Sequence, residues 1–150
     1  MTADEFLAFE AASATKHEFV RGEVFAMSGT TDAHNDIMLN LAALLRAHLR
    51  GGPCRAHAVD VKLRVEPANA YFYPDVFVTC DARDREDPLV KRYPTLVIEV
   101  LSDSTAAYDR GEKFDDYRRL ETLREYVLVD SRHQQATVYR RNDTGTWEFD

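Results

Sequence analysis

Leu96-Val97-Ile98-Glu99-Val100-Leu101 is an apolar run broken by one acid. A short run of β-formers that is apolar on both sides reads as a strand covered on both faces. Upstream, Phe72-Tyr73-Pro74-Asp75-Val76-Phe77-Val78 repeats the arrangement, with Asp75 as the acid. A carboxylate in such a strand gives up hydration worth several kcal/mol unless something compensates it. Downstream, Ser102-Asp103-Ser104-Thr105 is a capping signal, and a long helix is expected from about Thr105 to Thr122. On that helix Lys113, Phe114, Tyr117 and Leu120 fall within one arc of about 120°. Lys113 is therefore expected on the packed face, with Asp109 bordering the same arc.

The pleat refines this picture. Val97, Glu99 and Leu101 share one strand face, and Tyr73, Asp75 and Phe77 share a face of the other strand. If the two strands are neighbours, Asp75 and Glu99 stand side by side. Adjacent carboxylates repel, which raises one pKa. A hard cation removes that repulsion, and Mg²⁺ favours one or two carboxylates completed by waters and phosphate oxygens. Such an ion activates a bound water and screens charge developing on a phosphate, while a nearby lysine orients the water.

The remaining chain supplies a scaffold. Thr2 or Asp4 caps a first helix reaching about Ala12, and His17 to Met27 reads as two strands turning at Arg21-Gly22. Ser28 to Asp32 is a loop and cap signal for the strongest helix, about Asp32 to Arg50, which Gly51-Gly52-Pro53 ends. Strands follow at Cys54 to Ala58 and Val59 to Glu66, as a hairpin or bulged pair. The alternation of Val61, Leu63 and Val65 with Lys62, Arg64 and Glu66 marks a sheet with one wet face. Asp81 to Arg92 is a surface loop, Glu125 to Asp130 a buried strand, and Ala136 to Phe149 a hairpin around Asn142 to Gly145. The order of elements implies an α/β domain over residues 1–150: a mixed central β-sheet flanked by helices. A strand running to the end of the chain leaves room for a further C-terminal element.

Composition narrows the class. The chain has 150 residues and a formal net charge of -7, so bulk charge does not advertise nucleic-acid binding. Cys54 and Cys80 are too few for a disulfide framework or a zinc cage and read as buried thiols in a reducing compartment. The acidic N-terminus is not a leader peptide and no apolar run approaches a membrane span, so a cytoplasmic protein is expected. Neither a glycine-rich phosphate loop nor a His/Cys ligand cluster is present.

The ordered segments Glu18-Phe19-Val20-Arg21-Gly22-Glu23, Ser28-Gly29-Thr30 with His34, Tyr73-Pro74-Asp75-Val76, Glu99 to Thr105, Asp109-Arg110-Gly111-Glu112-Lys113 and Glu125 to Asp130 resemble the bacterial restriction-endonuclease-like domains of the Uma type, within the PD-(D/E)XK nuclease superfamily. The resemblance spans nearly all of the chain. It implies a restriction endonuclease-like core hydrolysing DNA phosphodiesters. Asp75 and Glu99 would be Mg²⁺ (or Mn²⁺) ligands, with the Val100 carbonyl as a third. The superfamily's lysine follows the second acid at a position held here by Leu101, and Lys113 matches the relocated lysine of this branch. His34 and Glu18 become supporting candidates, together with Asp109. Cutting both strands of a duplex asks for two active sites, hence a homodimer.

Each residue also has a plainer reading. Asp75 serves as a Pro-Asp turn at a strand end. Glu99 pairs with Lys113 or Lys62 for structure alone. Lys113 snorkels to water, or pairs with Asp109 at i,i+4. His34 is a boundary residue and Glu18 a surface acid. On those readings the chain is an inactive nuclease-fold module that binds nucleic acid or a protein. Hydrolysis of a smaller phosphate ester is a third option.

Overall fold

The crossover at Tyr73-Pro74-Asp75 organises the molecule. In the computed structural model, which describes residues 1–150 except Ser28 and Ser104, the apolar run around Asp75 is two strands in two sheets. The cap and loop readings that include Ser28 and Ser104 lie, at those two positions, outside the described residues.

In chain order the elements are α1 (Ala3–Ala12), β1 (His17–Val20), β2 (Glu23–Ala26), α2 (Asp32–Leu49), β3 (Arg55–Ala58), β4 (Lys62–Val65), β5 (Ala70–Phe72), β6 (Val76–Thr79), β7 (Val90–Lys91), β8 (Pro94–Val100), α3 (Ala106–Arg110), α4 (Glu112–Tyr117), β9 (Glu125–Asp130), β10 (Gln135–Arg141) and β11 (Trp147–Phe149). One sheet has the order β2-β1-β5-β4-β7 and the other β11-β10-β9-β8-β6-β3. Each is mixed: β4 and β7 pair in parallel in the first, β8 and β9 in the second. The α/β class with helices on the sheets holds, but the single central sheet expected from sequence is divided in two.

Helix boundaries follow local chemistry. Thr2 and Glu5 form a reciprocal capping box on α1, and Thr31 accepts from the His34 amide at the start of α2. The layers follow from side-chain faces. Phe6 of α1 packs with Phe19 and Tyr71 on the outer face of the first sheet. Met38 of α2 packs with Val76 and Ile98 on the far side of the second. Between the sheets lies the main core, where Leu63, Val65 and Phe72 meet Phe77, Val97 and Tyr126, with Phe114 and Tyr117 of α4 inserted.

Four expectations are corrected. β3 and β4 do not form a pair; β3 joins β6 and β4 joins β5, because the chain turns at Val59 with φ +50° and changes sheets. The face of β4 expected to be wet is partly closed: Arg64 is buried over the Tyr71 ring and held by Glu66 and Asn69. The helix expected from Thr105 to Thr122 breaks at Gly111 into α3 and α4. Gly111 has little room for a side chain, since a Cβ there would lie 3.3 Å from the Ala107 carbonyl oxygen.

Fourth, Cys54 and Cys80 are not thiols. They are joined as a disulfide across the β3–β6 edge, directly beyond the Arg55–Thr79 pair. This removes the cysteine argument for a reducing compartment. A cross-link between cysteines 26 residues apart is worth about 3 kcal/mol through restriction of the unfolded chain. The Cys54→Ser/Cys80→Ser variant is accordingly expected to unfold at lower urea concentration, and equal midpoints would show that the bridge contributes nothing. Among the described residues no helix is long and apolar enough to cross a membrane.

Candidate active site

Where the chain crosses from one sheet to the other, polar groups from both converge. β8 pairs antiparallel with β6, Val76 facing Ile98 and Phe77 facing Val97. Asp75, one residue before β6, therefore stands opposite Glu99 at the end of the ladder. Two hydrogen bonds fix it there. The Asp75 amide donates to Glu99 Oε1 at 2.9 Å, and the Val100 amide donates to Asp75 Oδ2 at 2.8 Å. The expectation that Asp75 lies inside a strand is corrected. Pro74 lacks an amide hydrogen and sits at the break, so Asp75 is a junction residue whose side chain keeps 22% of its exposure.

Glu99 is a true strand acid and is 3% exposed. Lys113 reaches it from α4, with Nζ at 2.7 Å from Glu99 Oε2, 3.0 Å from Glu18 Oε1 and 3.9 Å from Asp109 Oδ1. The inward arc read from the sequence is thus realised despite the helix break, and the lysine does not snorkel to water. Glu18 comes from β1 of the first sheet, so Lys113 ties both sheets together. His34, in the first turn of α2, places Nε2 at 3.3 Å from Asp75 Oδ2. The structure therefore brings together all the residues singled out: Asp75, Glu99, Lys113, His34, Glu18 and Asp109, with the Val100 backbone beside them.

The electrostatics are those of an acidic surplus. Burial, reinforced by Asp75 and Asp109, pushes Glu99 up to about 8 against the pull of Lys113. Burial likewise pushes Asp109 up to about 6. Burial opposes the charge on Lys113, but Glu99, Glu18 and Asp109 outweigh it and hold the ammonium protonated well above its ordinary range. The two partners of the Glu99–Lys113 pair shift upward for different reasons: Glu99 first through burial and then through neighbouring acids, Lys113 through the carboxylates around it. The hydrogen bond with Asp75, opposed by burial, raises His34 above its ordinary value.

These shifts set a pH dependence. Glu99 and Asp109 hold protons in the folded protein that the unfolded chain has released. Their contribution to stability is full below the ordinary carboxyl values of 4.5 and 3.8 and is lost as pH rises through about 6 and then about 8. Urea unfolding of the metal-free protein is expected to show stability declining between pH 5 and pH 8, with a shallower decline in Glu99→Gln. Parallel pH curves for the two proteins would contradict the assignment.

The donors suit a hard cation. Among the described residues no three His, Cys, Asp or Glu side chains are grouped so as to hold a metal by themselves. Mg²⁺ does not require that, since one or two carboxylates with waters and another oxygen suffice. Asp75 and Glu99 supply carboxylate oxygens, and the Val100 backbone faces His34 on the same side. A carboxylate has about four lone-pair positions, so the bonds already made to Glu99 leave some free.

A second buried polar group was missed from sequence. Glu10 of α1 accepts from the Tyr73 hydroxyl at 2.7 Å and the His17 amide at 2.8 Å, and its other oxygen meets His17 Nδ1 at 2.8 Å. It anchors Tyr73, two residues before Asp75. An acid late in a surface helix gives no sequence signal for this.

Comparison with known proteins places the chain in a family. The model of the Uma2 family, described as "Putative restriction endonuclease", matches residues 3–149. Two Synechocystis proteins are similar to the chain. Uncharacterized protein slr1290 is 41% identical over 147 residues, covering 98% of this chain and 77% of that protein. Uncharacterized protein sll1609 is 32% identical over 149 residues, covering 98% and 84%. A crystal structure described as a putative nuclease belonging to DUF820, from Anabaena variabilis, superposes with a TM-score of 0.82 at 17% identity, over 100% of this chain and 83% of that one. At that identity the superposition speaks for the fold. The extent of the family match, together with the two relatives, shows that the chain belongs to the Uma2 restriction endonuclease-like family.

Proposed function

We propose that the protein is a Mg²⁺-dependent endonuclease (Mn²⁺ substituting) that hydrolyses DNA phosphodiester bonds. One observation carries the reading: Glu99 and Glu18, one from each sheet, gather with Asp109 around a single ammonium, and a further, more accessible carboxylate, Asp75, lies at the crossover between Glu99 and His34. A fold has no need to collect surplus buried acid, whereas a divalent cation offsets it. The family description and the nuclease fold of the structural neighbour support the same reading.

Asp75, Glu99 and the Val100 carbonyl would hold the cation. When bound, it supplies Lewis acidity that lowers the pKa of a water and screens charge on the phosphate. The chain's own residues do the rest. Lys113 is held charged, so it acts as a donor that orients the attacking water and stabilises negative charge; it is not a proton acceptor. Glu18 and Asp109 fix the ammonium. His34 positions the Asp75 carboxylate. Water adds to phosphorus and gives up a proton to solvent, the bond to the leaving oxygen breaks, and that oxygen takes up a proton from solvent. A homodimer would supply the second centre needed to cut both strands.

The test is nicking of supercoiled plasmid by purified protein with Mg²⁺, with Mn²⁺ and with chelator. Cleavage with either metal and none with chelator is expected; no cleavage in any condition would remove the enzymatic reading. The net charge of -7 favours one alternative, a nuclease fold that only binds. It would show no rise in melting temperature with Mg²⁺, whereas a metal-binding site gains stability by mass action.

A further inference from the structure

Away from the acidic centre, the surface at the end of α2 has the opposite charge. Arg46 and Arg50 of its last turn and cap, with Arg55 of β3, line a groove of 620 Å³ that no acid borders among the described residues. A second cavity of 290 Å³ shares Arg55 with it and adds Arg85 and Lys91. Among the described residues no ion pair engages Arg46, Arg50, Arg55 or Arg85; Arg85 donates only to the Pro53 carbonyl, at 3.0 Å. The two acids of the smaller cavity are turned to their own loop. Asp81 is clasped by Arg83, and Asp84 accepts from Thr79 and the amides of Arg92 and Tyr93.

Cations in a last helical turn complement the helix dipole, which accounts for Arg46 and Arg50 alone. It does not explain why Arg55, from another element, joins them in the groove, or why Arg85 lies in the adjoining cavity without an ion pair of its own, in a chain of net charge -7. Unpaired guanidinium groups around a concave surface suit phosphate oxygens.

We propose that this groove is a second phosphate site, taking the sugar–phosphate backbone of a nucleic-acid strand whose reacting phosphate lies at the Asp75–Glu99 centre. The same helix joins the two: His34 begins α2 and Arg46 to Arg50 end it. At 1.5 Å per residue the separation is about 18–24 Å. Along one strand that is about five to seven nucleotides at about 3.4 Å each. The acidic centre needs a bound cation to accept a phosphate, whereas the groove attracts one unaided. A chain of acidic bulk charge thereby meets a polyanion through one local contact. The location of the reacting phosphate rests on the nuclease reading; the groove's affinity for backbone does not.

The experiment is fluorescence anisotropy with a labelled DNA oligonucleotide of roughly 20 nucleotides, single-stranded and duplex, in chelator so that nothing is cut, over a series of salt concentrations. Arg46→Ala/Arg50→Ala/Arg55→Ala is expected to weaken binding about tenfold or more and to flatten the slope of log K against log salt by about 2–3. Arg118→Ala/Arg132→Ala/Arg140→Ala removes equal charge from exposed ion-paired sites and is expected to bind as wild type does. Melting temperatures check folding. Should the triple variant be unstable, each single variant is expected to lose about one unit of slope. Unchanged binding in the groove variant, equal weakening in both triples, or no oligonucleotide binding by wild type would overturn the proposal. So would binding of inorganic triphosphate at the groove, seen as a rise in melting temperature lost in the groove variant, without any oligonucleotide affinity, which would assign it to a small phosphate ligand. A protein that cuts nothing while its groove variant loses binding would sink the nuclease reading and leave the groove standing.

Discussion

Replacing Lys113 with methionine lowers the stability of the metal-free protein by about 3–5 kcal/mol at pH 9, where Glu99 and Asp109 are ionised, because it leaves buried carboxylates uncompensated. Lys113 Nζ is the cation shared by Glu99, Glu18 and Asp109, and side chains 113, 99 and 109 are all nearly closed to water. Water cannot screen what the ammonium now neutralises. The sign with pH follows. The Lys113 pKa is raised by folding, so its contribution is present throughout the neutral range and is lost only as pH climbs through the folded value. The damage in Lys113→Met shrinks in acid, where Glu99 and Asp109 take up protons. Urea unfolding at pH 5 and pH 9 is expected to show a small deficit at the lower value and the full deficit at the higher. Lys113→Met/Glu99→Gln recovers part of the loss, since one buried charge has gone with its partner. A Lys113→Met protein as stable as wild type across this range would show that the acids are already neutral, and the charge surplus would not exist.

The second large effect is on chemistry. Asp75→Asn keeps an oxygen able to accept the Val100 amide and leaves the Asp75 backbone donor to Glu99 in place. The fold is expected to stay close to wild type, while the site loses its most accessible anionic donor. Losing about 3–4 kcal/mol of transition-state stabilisation slows cleavage by about 10²–10³-fold. Single-turnover nicking of plasmid DNA at saturating Mg²⁺ measures this. Wild-type rates in Asp75→Asn would mean that the crossover carboxylate has no part in the reaction.

How far these residues could be read without coordinates depended on the range of the forces that place them. Caps are local: Thr2 with Glu5, and Thr31 before α2, behave as their side chains dictate. Glu99 is legible because β-formers flank it, and Lys113 because its neighbours at helical spacing are apolar. The division of the Phe72 to Val78 run was harder to see. Its apolar content is continuous, and only Pro74 marks the point where the chain leaves one sheet for the other. The β3–β4 turn gave no warning, since Val59 adopts a positive φ that its branched side chain disfavours. The disulfide and the convergence of Glu18 on Lys113 need pairings between distant segments, which periodicity does not encode. The basic groove was hidden by averaging, because a net charge of -7 says nothing about where arginines cluster.

The most direct test of the central claim, that the acidic surplus at the sheet crossover exists to hold a divalent cation, is calorimetric titration of Mg²⁺ or Mn²⁺ into wild type and Asp75→Asn in buffers of different ionisation heat. The account predicts one saturable site in wild type, with protons released near neutral pH as the cation displaces the one held by Glu99, and loss of that site in Asp75→Asn. No binding by wild type, or the same binding with no proton release in both proteins, would contradict it.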